Sequence, residues 1–472
     1  MVFPPLLMGG KGAFSFYIVE SVSLLVLFFY FLNFEPIKNI HKGLVILALG
    51  AFFLPLLFLV PVSGDLWSWL PGRSFYASGM IEFFEYDFKS DFRAISFNAY
   101  ATEMAFYALI PLLGMLLVID KLNPRQIKLV VFAFISMAFF QSVLGVIQSA
   151  QSAPSYGTFS NRNNLAGMLL MSLPMVLFLL AHNLRNISQS RVSSSRFKSG
   201  NFIVKFFSSG SLGFTVLLFF VSLFIILGVI FSRSRAGIVL MVVGLLFVVI
   251  VFSLVYGKSR SVKFLGVVVS VALTLAIMIG IDPVVSRFGL GTAFEDVRWD
   301  IYSKSFEGLG QFFPIGSGVG TFPDVFRRFQ PDNVSGFVNH AHNSYIEYIF
   351  EGGVLSLVII ASFVLLFFVR FYDLLNNCRD DVFYSIQLGC GVGIALVGLH
   401  DTVDFNLYVP ANSIYFILLV SILFYKSDRL ILDANKSIRV KSKMKLHSLD
   451  ESLSHPKHVV SDDEHDNPFN RP

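Results

Sequence analysis

Apolar residues along the chain fall in runs of about twenty, separated by short polar segments. A helix of that length crosses the ~30 Å hydrocarbon core of a bilayer. The pattern predicts an all-α polytopic membrane protein with about eleven transmembrane helices, within a range of ten to twelve. The predicted spans are 14–33, 43–63, 100–119, 129–148, 164–182, 212–231, 237–256, 264–281, 344–370, 384–400 and 411–425.

The composition agrees with this class and excludes others. Hydrophobic residues make up 55% of the 472 residues and charged residues only 14%, and the mean hydropathy is +0.69. These values exclude a soluble globular enzyme. The 54 Phe residues are not interleaved with a basic stripe, so no nucleic-acid partner is expected.

Basic residues indicate the orientation. The polar segments between the spans form two alternating sets. One set comprises 64–98, 149–163, 282–343 and 401–410, and the other set holds two thirds of the 36 Lys and Arg residues. By the positive-inside rule those four face outward and the C-terminus is cytoplasmic. We therefore expect a transmembrane domain over 1–425 with a large outer loop at about 282–343. Residues 426–472 are expected to form a polar, disordered cytoplasmic tail.

Two arginines, Arg233 and Arg235, stand in the sequence SRSRAG at 232–237, between two strongly apolar runs. Guanidinium groups at a membrane boundary either snorkel as simple anchors or bind an anionic lipid head group. The second alternative is favoured chemically, because guanidinium forks match phosphate oxygens and a helix N-terminus adds backbone amides.

A histidine cluster ends the large loop, where His340, His342 and Asn343 run into an apolar helix that also carries Glu347 and Glu351. A histidine at a membrane boundary suits a general base for a sugar hydroxyl. Two alternatives stay open. The residues could cap the helix, or the two histidines could join His400, Asp401 and Asp404 in a metal site, although nothing fixes a ligand geometry.

Further polar residues stand at other predicted helix ends. Arg162 stands among three Asn residues that helix capping explains, and it is a candidate contact for an anion or a sugar. Asp404 either hydrogen-bonds sugar hydroxyls or caps and solvates a short turn. Arg298 belongs to a segment expected to begin a helix lying on the membrane surface. The glycine-rich segment 314–322 lacks the spacing of a nucleotide-binding loop, so it predicts a tight backbone turn.

The order of these motifs resembles the O-antigen ligase/polymerase superfamily of bacterial envelope glycan transferases. The resemblance covers about residues 60–425. It rests on GTFSNRNNLAG at 157–167, SRSRAG at 232–237, the Arg298 region, PIGSGVGTF at 314–322, HAHNSYIEYIFEGG at 340–353 and HDTVDFNLYVPAN at 400–412. It implies a GT-C-like inner-membrane glycosyltransferase that moves a glycan from an undecaprenyl-diphosphate carrier to an acceptor hydroxyl. It implies no nucleotide sugar, no cofactor and no required metal.

The resemblance also implies roles for particular residues. The family pattern of His, a small polar residue, nine residues and Gly-x-x-Gly maps onto His342, Asn343 and Gly353, and departs from it at Ser356. By this resemblance His342 activates the acceptor or contacts the reacting diphosphate, and Arg235 steadies the pyrophosphate leaving group. Weaker assignments, as substrate contacts, fall on Arg162, Arg233, Arg298 and His340.

Three acceptors compete within this class: a growing O-antigen or exopolysaccharide chain, the lipid A core, and a protein Ser or Thr. We favour polymerisation, because the long aromatic first loop and the HDTVDFNL segment are more similar to polymerases. Expected partners are the lipid-linked donor, a glycan or lipid A core acceptor, membrane lipids and other polysaccharide assembly proteins. A lipid-glycan flippase or transporter is the more distant alternative, since it would place charges or broken helices at mid-membrane.

Overall fold

The computed structural model describes residues 3–10, 12–87, 91–150, 154–193, 210–257 and 293–426, with six further residues between 266 and 278. The predicted span 264–281 lies largely outside the described residues, as does the predicted tail after Lys426. Everything described below belongs to the unit that ends at Tyr425.

Eleven helices of at least 14 residues are found in the described segments. They are α1 Ala13–Leu32, α2 Lys42–Phe58, α3 Ala99–Lys121, α4 Pro124–Ser149, α5 Arg162–Ser193, α6 Gly210–Phe231, α7 Arg235–Tyr256, α8 Ala293–Phe312, α9 Ser344–Asn376, α10 Val382–His400 and α11 Pro410–Leu423. Short helices, α-helical or 3₁₀, cover Phe3–Leu6, Gly64–Trp69, Ser74–Phe84, Phe322–Val325, Phe326–Arg328 and Asn406–Tyr408.

Eight of these helices are long and apolar enough to cross a membrane, and α2 and α11 are apolar but shorter. A helix is thus present at each predicted span within the described residues, as expected of a polytopic membrane protein. The bounds differ by five or more residues at four helix ends, one of which is the start of α4, at Pro124 instead of 129. The span 43–63 is wrong at its end, because α2 stops at Phe58 and Pro61–Ser63 forms a strand. Conversely, α5 and α9 continue past the predicted ends, to Ser193 and Asn376.

In the described segments the all-α prediction holds apart from one small sheet. Strand β1, Pro61–Ser63, pairs antiparallel with β2, Phe92–Ala94. This hairpin closes the base of the first long loop, in which two short helices lie.

Helix α5 is the centre of the bundle, because its most apolar stretch, within Arg162–Ile187, is completely buried inside the protein. It packs against α6, α7 and α10. The contact with α10 is close, since a Cβ added at Gly389 would lie 2.6 Å from Cα of Met175, and one at Gly393 2.7 Å from the Met171 carbonyl oxygen. Small residues allow such close approach of helices in membranes.

The two ends of the bundle differ in what they carry. At one end, the buried Asp120 carboxylate accepts hydrogen bonds from the backbone N–H groups of Asn39 (2.7 Å) and Ile40 (3.0 Å). There too, Arg185 pairs with Asp380 at 2.6 Å. The other end, called the loop end below, carries segments 61–98, 154–161, 293–343 and 401–409. These segments bond to one another and to helix termini.

Candidate active site at the loop end

Asn343 starts helix α9. Its side-chain oxygen accepts hydrogen bonds from the backbone N–H groups of Tyr345 (3.0 Å) and Ile346 (3.1 Å), which are otherwise unpaired at a helix N-terminus. The helix-capping alternative therefore applies to Asn343, the residue that follows the two histidines. A substrate contact by Asn343 stays a prediction and would involve its amide N–H group.

His342 precedes the cap in an uncommon backbone conformation, with φ of +54°. Left-handed backbone costs a residue other than glycine about 1–2 kcal/mol, and such strain is concentrated at functional sites. Tertiary contacts hold it: the Tyr302 hydroxyl donates to the His342 carbonyl oxygen at 2.8 Å. The imidazole packs edge-on against the ring of Phe405, with 5.2 Å between ring centroids.

His340 is held by a buried carboxylate. Its Nδ1 lies 2.9 Å from Oε1 of Glu347, whose side chain is only 1% exposed. The other carboxylate oxygen, Oε2, accepts a hydrogen bond from the backbone N–H of Ala341 at 2.8 Å. The imidazole stacks on Phe405, with 4.2 Å between centroids and 20° between planes. His340 and His342 thus share one aromatic neighbour.

Asp401 joins the start of α9 to the end of α10. Its carboxylate accepts hydrogen bonds from Asn406 N (2.9 Å), Asn406 Nδ2 (3.0 Å) and Ser344 Oγ (3.1 Å). Its carbonyl oxygen accepts the Ser344 backbone N–H at 3.0 Å. Burial raises the pKa of Asp401 to about 7 despite these donors. The buried Asp401 therefore connects the two helices through hydrogen bonds and fixes the position of the His340–Asn343 segment.

Asp404 lies in the same loop and is also buried. Its Oδ1 accepts a hydrogen bond from the Phe405 backbone N–H at 2.9 Å, and its carbonyl oxygen lies 3.3 Å from Ser344 Oγ. Asp404 therefore supports the loop that carries Phe405. A contact of its carboxylate with substrate stays a prediction.

Three of the four predicted arginines stand at or next to helix N-termini of the loop end. Arg235 is the first residue of α7, and Ser234 caps that helix by accepting the Gly237 N–H at 3.2 Å. Arg233 has a left-handed φ of +52°. Arg162 is the first residue of α5.

A continuous set of contacts connects the helix starts that carry Arg162 and Arg235 to the start of α9. The first turn of α7 packs on the first turn of α5, since a Cβ at Gly237 would lie 2.8 Å from Cβ of Ala166. The next residue, Gly167, packs directly against the side chain of Asn406. Asn406 in turn bonds to Asp401, which bonds to the residue after Asn343. The structure therefore brings the N-termini of α5, α7 and α9 together at the loop end.

Arg298 belongs to α8, whose helix begins before this residue, at Ala293. Its Nη1 lies 3.4 Å from the Val403 carbonyl oxygen, at the edge of the 401–409 loop. The charges of Arg298 and Asp404 both act on Tyr302, whose pKa is raised mainly by burial. Arg298 is thus placed on the same side of the bundle as His342.

The glycine-rich segment 314–322 is the predicted backbone turn. It runs beside α9, where the Gly318 N–H donates to the Glu351 carbonyl oxygen at 2.9 Å and the Val354 N–H donates to the Pro314 carbonyl oxygen at 2.8 Å. Gly353 has φ of +57° and interrupts α9 at this contact. Ser356, where the sequence departs from the family pattern, is buried one turn from Gly352.

Sequence analysis assigned no role to two side chains that organise this end. Arg73 is completely buried, and its guanidinium donates to the carbonyl oxygens of Pro71 (2.9 Å), Ile95 (2.7 Å) and Gly316 (3.1 Å). It thereby ties the first loop to the glycine-rich turn, and burial lowers its pKa to about 10. Glu347 is the second, and its signal was a carboxylate within an otherwise apolar helix.

The described residues provide no ligand set for the metal site that the sequence left open. Among the residues that the structure describes, no group of three or more His, Cys, Asp or Glu side chains is placed to hold a metal ion. The candidate donors are engaged elsewhere, because His340 bonds to Glu347, and His400 Nδ1 lies 3.0 Å from Asn406 Nδ2.

Fold and site together define a multi-pass membrane protein with histidines and arginines gathered at one end of its bundle. The family model described as O-antigen ligase matches residues 218–361, from α6 to the middle of α9. This match confirms the resemblance to the O-antigen ligase/polymerase superfamily. It indicates O-antigen ligase- or polymerase-type function with glycan and lipid-linked substrates. A search of curated proteins gives no match.

Proposed function

We propose that this protein is a GT-C-like, metal-independent, inverting glycosyltransferase of the bacterial inner membrane. It moves a glycan from an undecaprenyl-diphosphate carrier to an acceptor hydroxyl. The loop end faces the periplasm and the C-terminus faces the cytoplasm. The observation that carries the proposal is the convergence of the α5, α7 and α9 N-termini, which gathers Arg162, Arg235 and the histidine segment at one end.

The lipid carrier explains why the binding groups should lie together at one end of the bundle. A polyprenyl chain anchors the diphosphate at the membrane boundary, so the groups that bind it must also lie at that boundary. Arg235 offers a guanidinium at the start of a helix, and a helix N-terminus also favours an anion. Arg233 and Arg162 are the next candidates for the same anion.

The transfer step follows from these roles. The acceptor oxygen attacks the anomeric carbon, the bond from that carbon to the diphosphate oxygen breaks, and the configuration inverts. The electron pair leaves with the diphosphate, and the acceptor proton passes to a base at the histidine segment. One charge-assisted hydrogen bond contributes about 1.5–3 kcal/mol, and preorganised donors contribute most where charge develops. Several guanidinium groups can therefore stabilise the leaving group without a divalent ion.

The remaining predicted residues surround this step. His342 activates the acceptor or contacts the diphosphate. Arg298, His340, Asn343 and Asp404 are proposed to contact the donor or acceptor sugars from the segments that border the histidines.

For the acceptor we propose a growing O-antigen or exopolysaccharide chain. The lipid A core and a protein hydroxyl are the competing acceptors, and a flippase is the competing function outside this class. All four are distinguished by the glycan that accumulates when activity is lost.

The test is complementation of a deletion strain, with surface polysaccharide examined on a gel. We expect His342→Ala and Arg235→Ala to abolish the wild-type pattern. Arg125→Ala is the matched control, because Arg125 is an exposed arginine near the start of α4. It should leave the pattern unchanged.

The product identifies the acceptor. Single repeat units indicate a polymerase, long chains unattached to lipid A core indicate a ligase, and loss of glycan from protein alone indicates a protein glycosyltransferase. Carrier-linked glycan retained on the cytoplasmic side indicates a flippase and would contradict the proposal. An unchanged pattern in both variants would show that the site is assigned wrongly.

A further inference from the structure

A hydrogen-bonded carboxylate and imidazole lie directly before the capped start of α9. His340 Nδ1 and Glu347 Oε1 are 2.9 Å apart, and the Glu347 side chain is 1% exposed. We assign the donor role in this bond to Nδ1, because carboxylate oxygens are acceptors. The neutral imidazole then carries its hydrogen on Nδ1 and presents a lone pair at Nε2, as a general base requires.

The imidazole has little freedom to turn away from this arrangement. It stacks on Phe405, and its centroid lies 5.0 Å from that of Tyr408. About one fifth of the His340 side chain remains exposed. A ring fixed by a carboxylate and by two aromatic neighbours is preorganised, which is what a catalytic group needs from its surroundings.

Glu347 also fixes the peptide between the two histidines. Its Oε2 accepts the Ala341 N–H at 2.8 Å, so one buried side chain holds both His340 and the segment leading to His342. A carboxylate in the first turn of a helix would also stabilise the helix N-terminus electrostatically. That structural role does not require the bond to His340, which sets the two roles apart experimentally.

We infer that His340, oriented by Glu347, is the base that takes the proton from the acceptor hydroxyl, while His342 contacts the diphosphate side. The inference rests on the proposed glycan transfer. In this step the O–H bond of the acceptor breaks, its proton binds His340 Nε2, and its electron pair forms the new bond to the anomeric carbon. The imidazolium that results is stabilised by the Glu347 carboxylate. Glu347 is a positioning residue, because it acts through His340.

The titratable groups around His340 in the described part of the chain include His342, which shares its neighbour Phe405. Glu347 lies on the helix that follows His340, and Tyr408 comes from the 401–409 loop. Glu351 lies beyond Tyr408, and Asp401 and Asp404 belong to the loop that carries Phe405. A pH profile must therefore be compared between variants that change the bond and variants that leave it intact.

Glu347→Gln is the decisive variant, because it keeps the size of the side chain. Its amide oxygen can still accept the Ala341 N–H, while its NH₂ group donates to His340 Nδ1. Nδ1 must then be the acceptor, so the hydrogen moves to Nε2 and the base is lost. His340→Gln removes the imidazole itself. Glu103→Gln is the matched control, since Glu103 is an exposed carboxylate near the loop end of α3 that bonds to Tyr107 at 2.6 Å.

The assay uses the full-length protein in proteoliposomes, with lipid-linked glycan extracted from the deletion strain as substrate. Rates are measured across pH, and thermal melting reports folding. We expect Glu347→Gln and His340→Gln each to slow transfer at least ~100-fold. The acidic limb of the wild-type pH profile should disappear in both. The double variant should be no slower than His340→Gln alone, because both changes remove the same base.

Several results would overturn the inference. They are a rate for Glu347→Gln close to that of Glu103→Gln, an acidic limb that persists in either single variant, or multiplicative losses in the double variant. These results leave the proposed function standing, provided that the wild-type protein transfers glycan. A wild-type protein that releases no carrier diphosphate overturns the proposed function itself, together with this inference.

Discussion

Replacing Gly316 by Ala should destabilise the loop end strongly. Gly316 has φ of +94°, and an added Cβ would overlap the Glu351 carbonyl oxygen, which is backbone and has little room to move. The backbone conformation alone costs Ala about 1–2 kcal/mol. Separating the turn from α9 would also weaken the bonds from Ser317 N to Phe350 O and from Gly318 N to Glu351 O. At ~1 kcal/mol each, the total is about 3–4 kcal/mol.

Gly310→Ala is the matched control, because Gly310 lies in α8 and an added Cβ would meet nothing within 4 Å. Alanine favours a helix by about 1 kcal/mol over glycine, so this variant should be as stable as the wild type or slightly more stable. Thermal melting of the purified protein in detergent measures both. Gly316→Ala should melt several degrees lower and transfer glycan more slowly. A melting temperature within ~1 °C of the wild type would refute this account of the turn.

Three other changes test separate parts of the site. Because burial raises the pKa of Asp401 to about 7, the folded protein binds a proton that the unfolded chain releases near pH 4, so stability should fall as pH rises from about 4 to 7. Asp401→Asn should remove this dependence in melting curves, and an identical pH slope in the variant would contradict it. Ser234→Ala removes the cap of α7 and should lower the free energy of unfolding by about 0.5–2 kcal/mol while slowing transfer less than Arg235→Ala does. Arg73→Met leaves three carbonyl oxygens without their donor and should speed proteolytic cleavage of residues 64–98, whereas unchanged cleavage would show that the guanidinium does not hold that loop.

The helices were predictable because bilayer thickness imposes a length on every span, and run length can be read from one sequence. Helix ends were less predictable. Pro61–Ser63 continues the apolar run of α2 but forms a strand by pairing with Phe92–Ala94. This pairing was not predictable, because the partner lies about thirty residues away. A three-residue strand is too short to show an alternating pattern.

The site was predictable in its location and less so in its contacts. Arginines and histidines at predicted helix ends were identified because charge at a membrane boundary is conspicuous among apolar residues. The partner of His340 was not, since a glutamate in an apolar helix does not reveal what it binds. The hydrogen bond from Ser344 to Asp401 connects positions 57 residues apart, and only tertiary structure brings them together.

The most direct test of the central claim is a single-turnover measurement with protein in proteoliposomes. It follows the release of carrier diphosphate from lipid-linked glycan alongside the formation of glycosidic bonds. The account predicts one carrier diphosphate released per bond formed, at a rate that Arg235→Ala lowers at least ~100-fold and Arg125→Ala leaves unchanged. Carrier that crosses the bilayer with its glycan still attached, or an Arg235→Ala rate equal to that of the wild type, would contradict it.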